Sequence, residues 1–190
     1  VIANNKSNPS WIAYDVLAQG EHDPNAKTHV IAKNKNILLK VKNELQRIMK
    51  ETKLKNVDRS IKNNCYLILA KSQKEIFEIT NFIAPEHLHI HEKFNKNMLK
   101  NIINAGSVFL GERSPVALGD YTMGTNHVLP TDQTAKFASG LGVEDYTKKT
   151  VFINPGNKTL KKIAKPTINL ARQEGLEAHA LSVEIRKIKT

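Results

Sequence analysis

Four short stretches of this 190-residue chain carry more reactive side chains than packing alone requires. In Gln19-Gly20-Glu21-His22-Asp23, Gln19 and His22 stand three apart, so a helix projects both from one face. An amide oxygen and an imidazole there could share a metal ion; a solvated or capping histidine at a helix end is the plainer reading. Ala84-Pro85-Glu86-His87-Leu88 sets a carboxylate beside an imidazole, the two commonest general bases near neutral pH. Neighbours on a strand point to opposite faces, so Glu86 and His87 serve one site only at a strand end or bend, which Pro85 favours. Ser114 to Thr131 is the richest stretch. Gly119 and Gly124 admit unusual backbone angles, and Asp120 and His127 bracket a polar loop. Asp120 is either a hard oxygen ligand suited to zinc beside imidazole or the anchor of an Asx turn. Glu174 and His179 lie about one and a half helical turns apart, so one unbroken helix does not bring them together, and Gly175 is a candidate break.

Several function classes are disfavoured by what the chain lacks. No Gly-x-Gly-x-x-Gly follows a strand and no Gly-Lys-Ser/Thr phosphate loop occurs, so nothing in these residues is equipped to hold a dinucleotide by itself. The net charge of +11 raises nucleic-acid binding, but 24 of the 29 basic residues are Lys and only 5 are Arg. Phosphate and base recognition favour the planar Arg fork. The lysines are dispersed among 19 Asn and 18 Ile, a bias that A/T-rich codons explain. No apolar run approaches the roughly 18 residues of a membrane span. The single cysteine, Cys65, excludes an internal disulfide and reads as a small core residue in a cytoplasmic protein. A chain that opens Val1-Ile2-Ala3 reads as a strand already under way, with no signal segment.

The elements that must position these residues alternate. Asn8-Pro9-Ser10 caps a helix through Ala18 that stops near His22-Asp23-Pro24. Thr28–Ala32 reads as a strand, Ile37 to Glu51 as an amphipathic helix, Tyr66 to Ala70 as a buried strand, and Ser72 to Phe82 as a Ser-capped helix. His87 to His91 is a strand, Phe94 to Ile103 a helix and Ser107 to Leu110 a strand. This order predicts α/β layers around a parallel sheet. Gly111 to Gly142 reads as a structured loop, the kind of segment that carries function. The tail from Lys158 is helical and ends in amphipathic Leu176 to Ile188.

Taken together, the motifs resemble the histidinol dehydrogenase family. They are Asn8-Pro-Ser-Trp-Ile-Ala with Gln19-Gly-Glu-His-Asp-Pro24, Ala84-Pro-Glu-His-Leu88, Asn104 to Gly111, Ser114 to Thr131, Ser139-Gly-Leu141 and Glu174-Gly-Leu-Glu-Ala-His179. The resemblance covers essentially the whole chain. It implies a Rossmann-like α/β/α layered domain, incomplete here, in residues 1–142, with a small helical dimerisation arm in 143–190. The cofactor-binding half, more N-terminal in family members over twice this length, is absent. It further implies oxidation of L-histidinol to L-histidine through the aldehyde by two NAD, with Zn2+ holding the substrate. Gln19, His22, Asp120 and His179 would be the zinc ligands, Glu86 and His87 the acid/base pair, and His127 and Glu174 substrate contacts. Glu174 and His179 would complete the partner's site in a homodimer. His89 stands where the family more often has an acidic residue, which reads as surface variation. The alternatives are a non-catalytic zinc-binding fragment or degenerate paralogue, and a zinc hydrolase using Glu86, which the absence of His-Glu-x-x-His disfavours.

Overall fold

The structure is a computed structural model that describes residues 1–52, 54, 57–91 and 96–186, with Lys96 described in its backbone only. The chain falls into two compact units, Val1–Tyr146 and Thr147–Thr190.

The first unit is built on five parallel strands in the order β3-β2-β1-β4-β5. These are β1 (Ile2–Ala3), β2 (Thr28–Ala32), β3 (Cys65–Leu69), β4 (His87–Ile90) and β5 (Ser107–Leu110). The order reverses at β1, as in doubly wound sheets. Strand alternation sorts the side chains onto two faces. Ala3, Val30 and Ala32 face α1 (Pro9–Gly20), α2 (Lys35–Thr52) and α3 (Val57–Asn64), where they pack with Ile12, Val16, Val41 and Ile48. Ile2, Ile31, Leu88 and Ile90 face the other way, onto α4 (Gln73–Ile83) and α5 (Lys96–Leu99) through Ile76 and Met98. The result is the α/β/α layering expected from the alternation of strand and helix.

The helix caps are those the sequence announces. Asn8 Oδ1 accepts from the backbone amides of Ser10 and Trp11, and Ser72 Oγ accepts from Glu75, so the first turns of α1 and α4 are satisfied. At its other end α1 is pinned by Ser60 of α3, whose hydroxyl donates to the Gly20 carbonyl at 2.8 Å. That third helix is absent from the sequence-based reading, because its polar run 57–64 buries only Val57 and Ser60. The predicted helix Phe94 to Ile103 reduces to α5; its first residues, 94 and 95, lie outside the described set. The loop after β5 contains one short helix, α6 (Ala117–Tyr121), and two 3-10 turns.

The second unit is a helical hairpin of α7 (Asn157–Gln173) and α8 (Glu177–Glu184). Gly175, at φ +74°, ends α7. The amides of Gly175 and Leu176 return to the carbonyls of Arg172 and Ala171, which is the Schellman pattern. Ile168, Ala171 and Ala180 form the hairpin's small core, and Arg172 bridges to Glu177 and Glu184 of α8. The predicted amphipathic tail therefore stops at Glu184; residues 187 and 188 lie outside the described set.

The core and cap assignments are testable together. Ile12→Ala, at a fully buried position, should cost about 2–5 kcal/mol, and Asn8→Ala about 1 kcal/mol, in urea melts of the same protein. Equal costs would contradict the assignment of Ile12 to the core and Asn8 to the cap.

Candidate functional site

The site forms where α1 ends and β4 begins. α1 runs antiparallel to the strands, so its last turn, carrying Gln19, returns to the amino-terminal edge of the sheet. There it meets the first residues of β1, β2 and β4. A cavity of about 770 Å³ opens at this edge, lined among others by Asp15, Gln19, His22, Glu86, His87 and His89.

The bend that Glu86 and His87 require is present. Ala84 closes α4 in the left-handed region at φ 47°, Glu86 lies in a bend, and His87 is the first residue of β4. Both therefore line the cavity although they are sequence neighbours. His87 is nearly buried and contacts three elements. Its Nδ1 lies 3.1 Å from Gln19 Oε1. Its Nε2 lies 3.6 Å from Asp120 Oδ1 on α6, and its ring rests at a tilt against Phe109 of β5.

Gly119 explains how α6 comes so near. A Cβ at this position would fall 2.6 Å from the Phe109 ring, so the residue is needed for close approach. Of the two glycines expected to adopt unusual backbone angles, only Gly124 has a positive φ, at +75°. The loop beyond α6 is braced by its own polar residues. Thr125 donates to the Gly119 carbonyl, and Asn126 donates to Leu141 and accepts from Val128.

Gln19, His87 and Asp120 thus converge, and His22 and Glu86 share the cavity wall. His127 is exposed on the loop and is not among the residues lining that cavity. Glu174 and His179 belong to the second unit, exposed at the α7–α8 turn and in the first turn of α8.

Three further residues escaped the sequence-based reading. His89 is 1% exposed, which corrects its assignment to surface variation: it is a core residue on the α1 face of β4. Its Nδ1 lies 2.9 Å from Asp15 Oδ2 and its Nε2 2.8 Å from the Gly111 carbonyl. His91, also buried, places Nε2 3.7 Å from the same Asp15 oxygen, beyond hydrogen-bond length, and neither of its ring nitrogens has a partner. The signal was available. In His87-Leu-His-Ile-His91 the histidines recur every second residue, so all three fall on one face. Asp15 stands four residues before Gln19, one helical turn along the same side of α1.

Burial raises the Asp15 carboxyl, but the His89 hydrogen bond and the charges of both imidazoles outweigh it and hold the group below its ordinary value. Burial also pushes the Cys65 thiol up, which makes it a poor nucleophile.

Comparison with known proteins fits this arrangement. The histidinol dehydrogenase family model matches residues 1–187. The chain belongs to the histidinol dehydrogenase family. A family member from Listeria monocytogenes is 43% identical over 187 residues, which cover 98% of this chain and 44% of that relative. One from Aquifex aeolicus is 36% identical over 188 residues, with the same coverage. The crystal structure of histidinol dehydrogenase from Elizabethkingia anophelis superposes with a TM-score of 0.82 at 31% identity, over 97% of this chain and 43% of that one. The chain therefore spans less than half the length of the family members it matches, and the match falls on their C-terminal part. Among the described residues, no helix is long and apolar enough to cross a membrane.

The Asp15 arrangement carries a pH prediction. A carboxyl whose folded pKa lies below its unfolded value of about 3.9 supplies stability that is present above that value and lost as pH falls through the folded one. In chelator-treated protein, wild type should lose stability below about pH 4, while Asp15→Asn should be weaker at neutral pH and lack that acid-linked loss. Urea melts between about pH 2.5 and 6 read the two slopes; parallel slopes would contradict the pairing.

Proposed function

We propose that this chain is the zinc- and substrate-binding portion of a cytoplasmic histidinol dehydrogenase, which oxidises L-histidinol to L-histidine through the aldehyde and reduces two NAD. The observation that carries the reading is the convergence of Gln19, His87 and Asp120 at one cavity in a chain matched to the family over nearly all its length.

The donor chemistry suits the metal. An amide oxygen, an imidazole and a carboxylate from Gln19, His22 and Asp120, with the His179 imidazole as fourth ligand, make a set that zinc accepts. Zinc held by these residues would be redox-inactive and would supply a Lewis acid able to bind the substrate's imidazole and amine and orient the carbinol.

His87 is the proton acceptor of both oxidations. Gln19 Oε1 can only accept, so His87 Nδ1 carries the ring proton and donates it. The Nε2 lone pair is then left free, because Asp120 stands beyond hydrogen-bond length. In the first step Nε2 takes the hydroxyl proton as the carbinol hydride passes to NAD. Glu86 then takes a proton from water as it adds to the aldehyde. His87 returns its first proton to the aldehyde oxygen as water adds, and the hydrate then repeats the transfer to a second NAD with its proton going to the regenerated His87. Glu174 and His127 contact the substrate.

Residues 143–190 are, in this reading, a dimerisation arm that brings Glu174 and His179 to the partner's site. The apolar side chains it exposes, Phe152, Leu170 and Ile185 among them, support such a contact. No dinucleotide-binding motif occurs in the sequence, so NAD is held by residues outside this chain, which alone is catalytically incompetent.

Full-length protein should form two NADH per histidine from L-histidinol, and a zinc chelator should abolish this. Zinc bound without turnover would favour the non-catalytic reading. His87→Asn should lower kcat by about 10²–10⁴-fold, and Glu86→Gln should let the aldehyde accumulate. Mixed dimers of His179→Ala and His87→Ala subunits should recover activity through one restored site, and no recovery would argue against shared sites.

A further inference from the structure

Beneath the proposed catalytic residues lies a second group of ligand atoms. Asp15 Oδ2, His89 Nδ1 and His91 Nε2 lie within 4.8 Å of one another, drawn from the middle of α1 and from β4 with the residue just after it. We propose that Asp15, His89 and His91 form a second metal site, distinct from the Gln19, His22, Asp120 and His179 set and taking a divalent transition cation of the zinc class.

Each residue fits the role by a separate observation. His89 Nε2 faces the Gly111 carbonyl at 2.8 Å. A carbonyl has no proton to give, so Nε2 carries the hydrogen and Nδ1 is the nitrogen left for a ligand. This is how metal-bound histidines are held, with the outer N–H donated to a backbone carbonyl that fixes tautomer and ring orientation.

His91 supplies the independent evidence. Its side chain is fully buried and both ring nitrogens lack a hydrogen-bond partner, yet its Nε2 is aimed at the Asp15 oxygen that His89 already contacts. Buried polar atoms in proteins are nearly always satisfied, and a cation bound at Nε2 would satisfy one of these two.

The spacing also fits. Tetrahedral zinc with bonds of about 2.0–2.2 Å holds its donors about 3.3 Å apart. The separations here, 2.9 Å from His89 and 3.7 Å from His91 to the shared carboxylate oxygen, lie on either side of that figure. All three donors lie within 4.8 Å of one another, close enough to be drawn around one ion. Asp15 and His89 also line the 770 Å³ cavity, so the fourth position is reachable by water or a small ligand. Imidazole and carboxylate donors suit zinc, cobalt or nickel better than calcium or magnesium.

Metal analysis tests the site without recourse to turnover. Full-length protein stripped with chelator, loaded with zinc and desalted should retain one zinc per chain more than His91→Gln treated alike. His22→Ala, which leaves this site intact, should keep the zinc that His91→Gln loses. Equal zinc in wild type and His91→Gln, with wild-type circular dichroism for both, would overturn the proposal. Should His91→Gln fail to fold, imidazole 15N spectra of the wild type decide. Zinc should shift the His89 Nδ1 and His91 Nε2 resonances, and resonances unmoved at saturating zinc would rule the site out. Failure here leaves the dehydrogenase reading untouched, and absence of turnover leaves this one untouched.

Discussion

The contact between α1 and β4 is the interaction on which the first unit's chemistry depends. A strand shows alternate residues to alternate faces, so β4 must give Leu88 and Ile90 to the α4 side and His87 and His89 to the α1 side. That assignment works only because α1 answers with Asp15 and Gln19 one turn apart. Elsewhere along its inner face α1 is apolar, with Ile12, Ala13, Val16 and Leu17 buried against the sheet. The helix thus places its hydrophobic residues over β1 and β2 and its polar ones over the histidines. A slip of one residue in β4 would bury Leu88 and Ile90 against Asp15 and turn the imidazoles toward α4.

Much of this was legible in the sequence. The Asn8 and Ser72 caps, the β2 boundaries and the Ser107–Leu110 strand follow from local residue types, which act over three or four positions and do not depend on tertiary partners. The Glu86–His87 bend was legible for the same reason, since Pro85, with its fixed φ and no amide donor, cannot continue α4. The misses share one physical cause. α3 is polar along most of its length and is held by Val57 in the core and by a serine hydroxyl reaching α1, a contact 40 residues away in sequence. His89 looked like a surface variant because an acidic residue is common at that position, and nothing local reveals that Asp15 waits 74 residues upstream to hydrogen-bond it. Gly119 is similar: its smallness serves a ring ten residues back, on β5.

Buried histidines beside a carboxylate carry an energetic tension. An unsatisfied buried polar group costs on the order of 1–3 kcal/mol, and His91 keeps two such nitrogens. An apolar residue would fill that space at less cost. The first unit therefore gives up some stability in its core next to the cavity, a cost that stabilising packing elsewhere in the sheet must offset.

The position of the cavity has a consequence for what it attracts. In most doubly wound sheets the ligand sits at the carboxyl ends of the strands, where helices begin and their amides welcome phosphate. Here the cavity lies at the opposite edge, lined by the last turns of α1 and α4. Helices present unsatisfied carbonyls and the negative end of their macrodipoles at such termini. Two of them converge on one opening, joined by Asp15 and Glu86. The two helix ends and the two carboxylates make part of the opening's wall electronegative, a setting suited to a metal ion or an ammonium group.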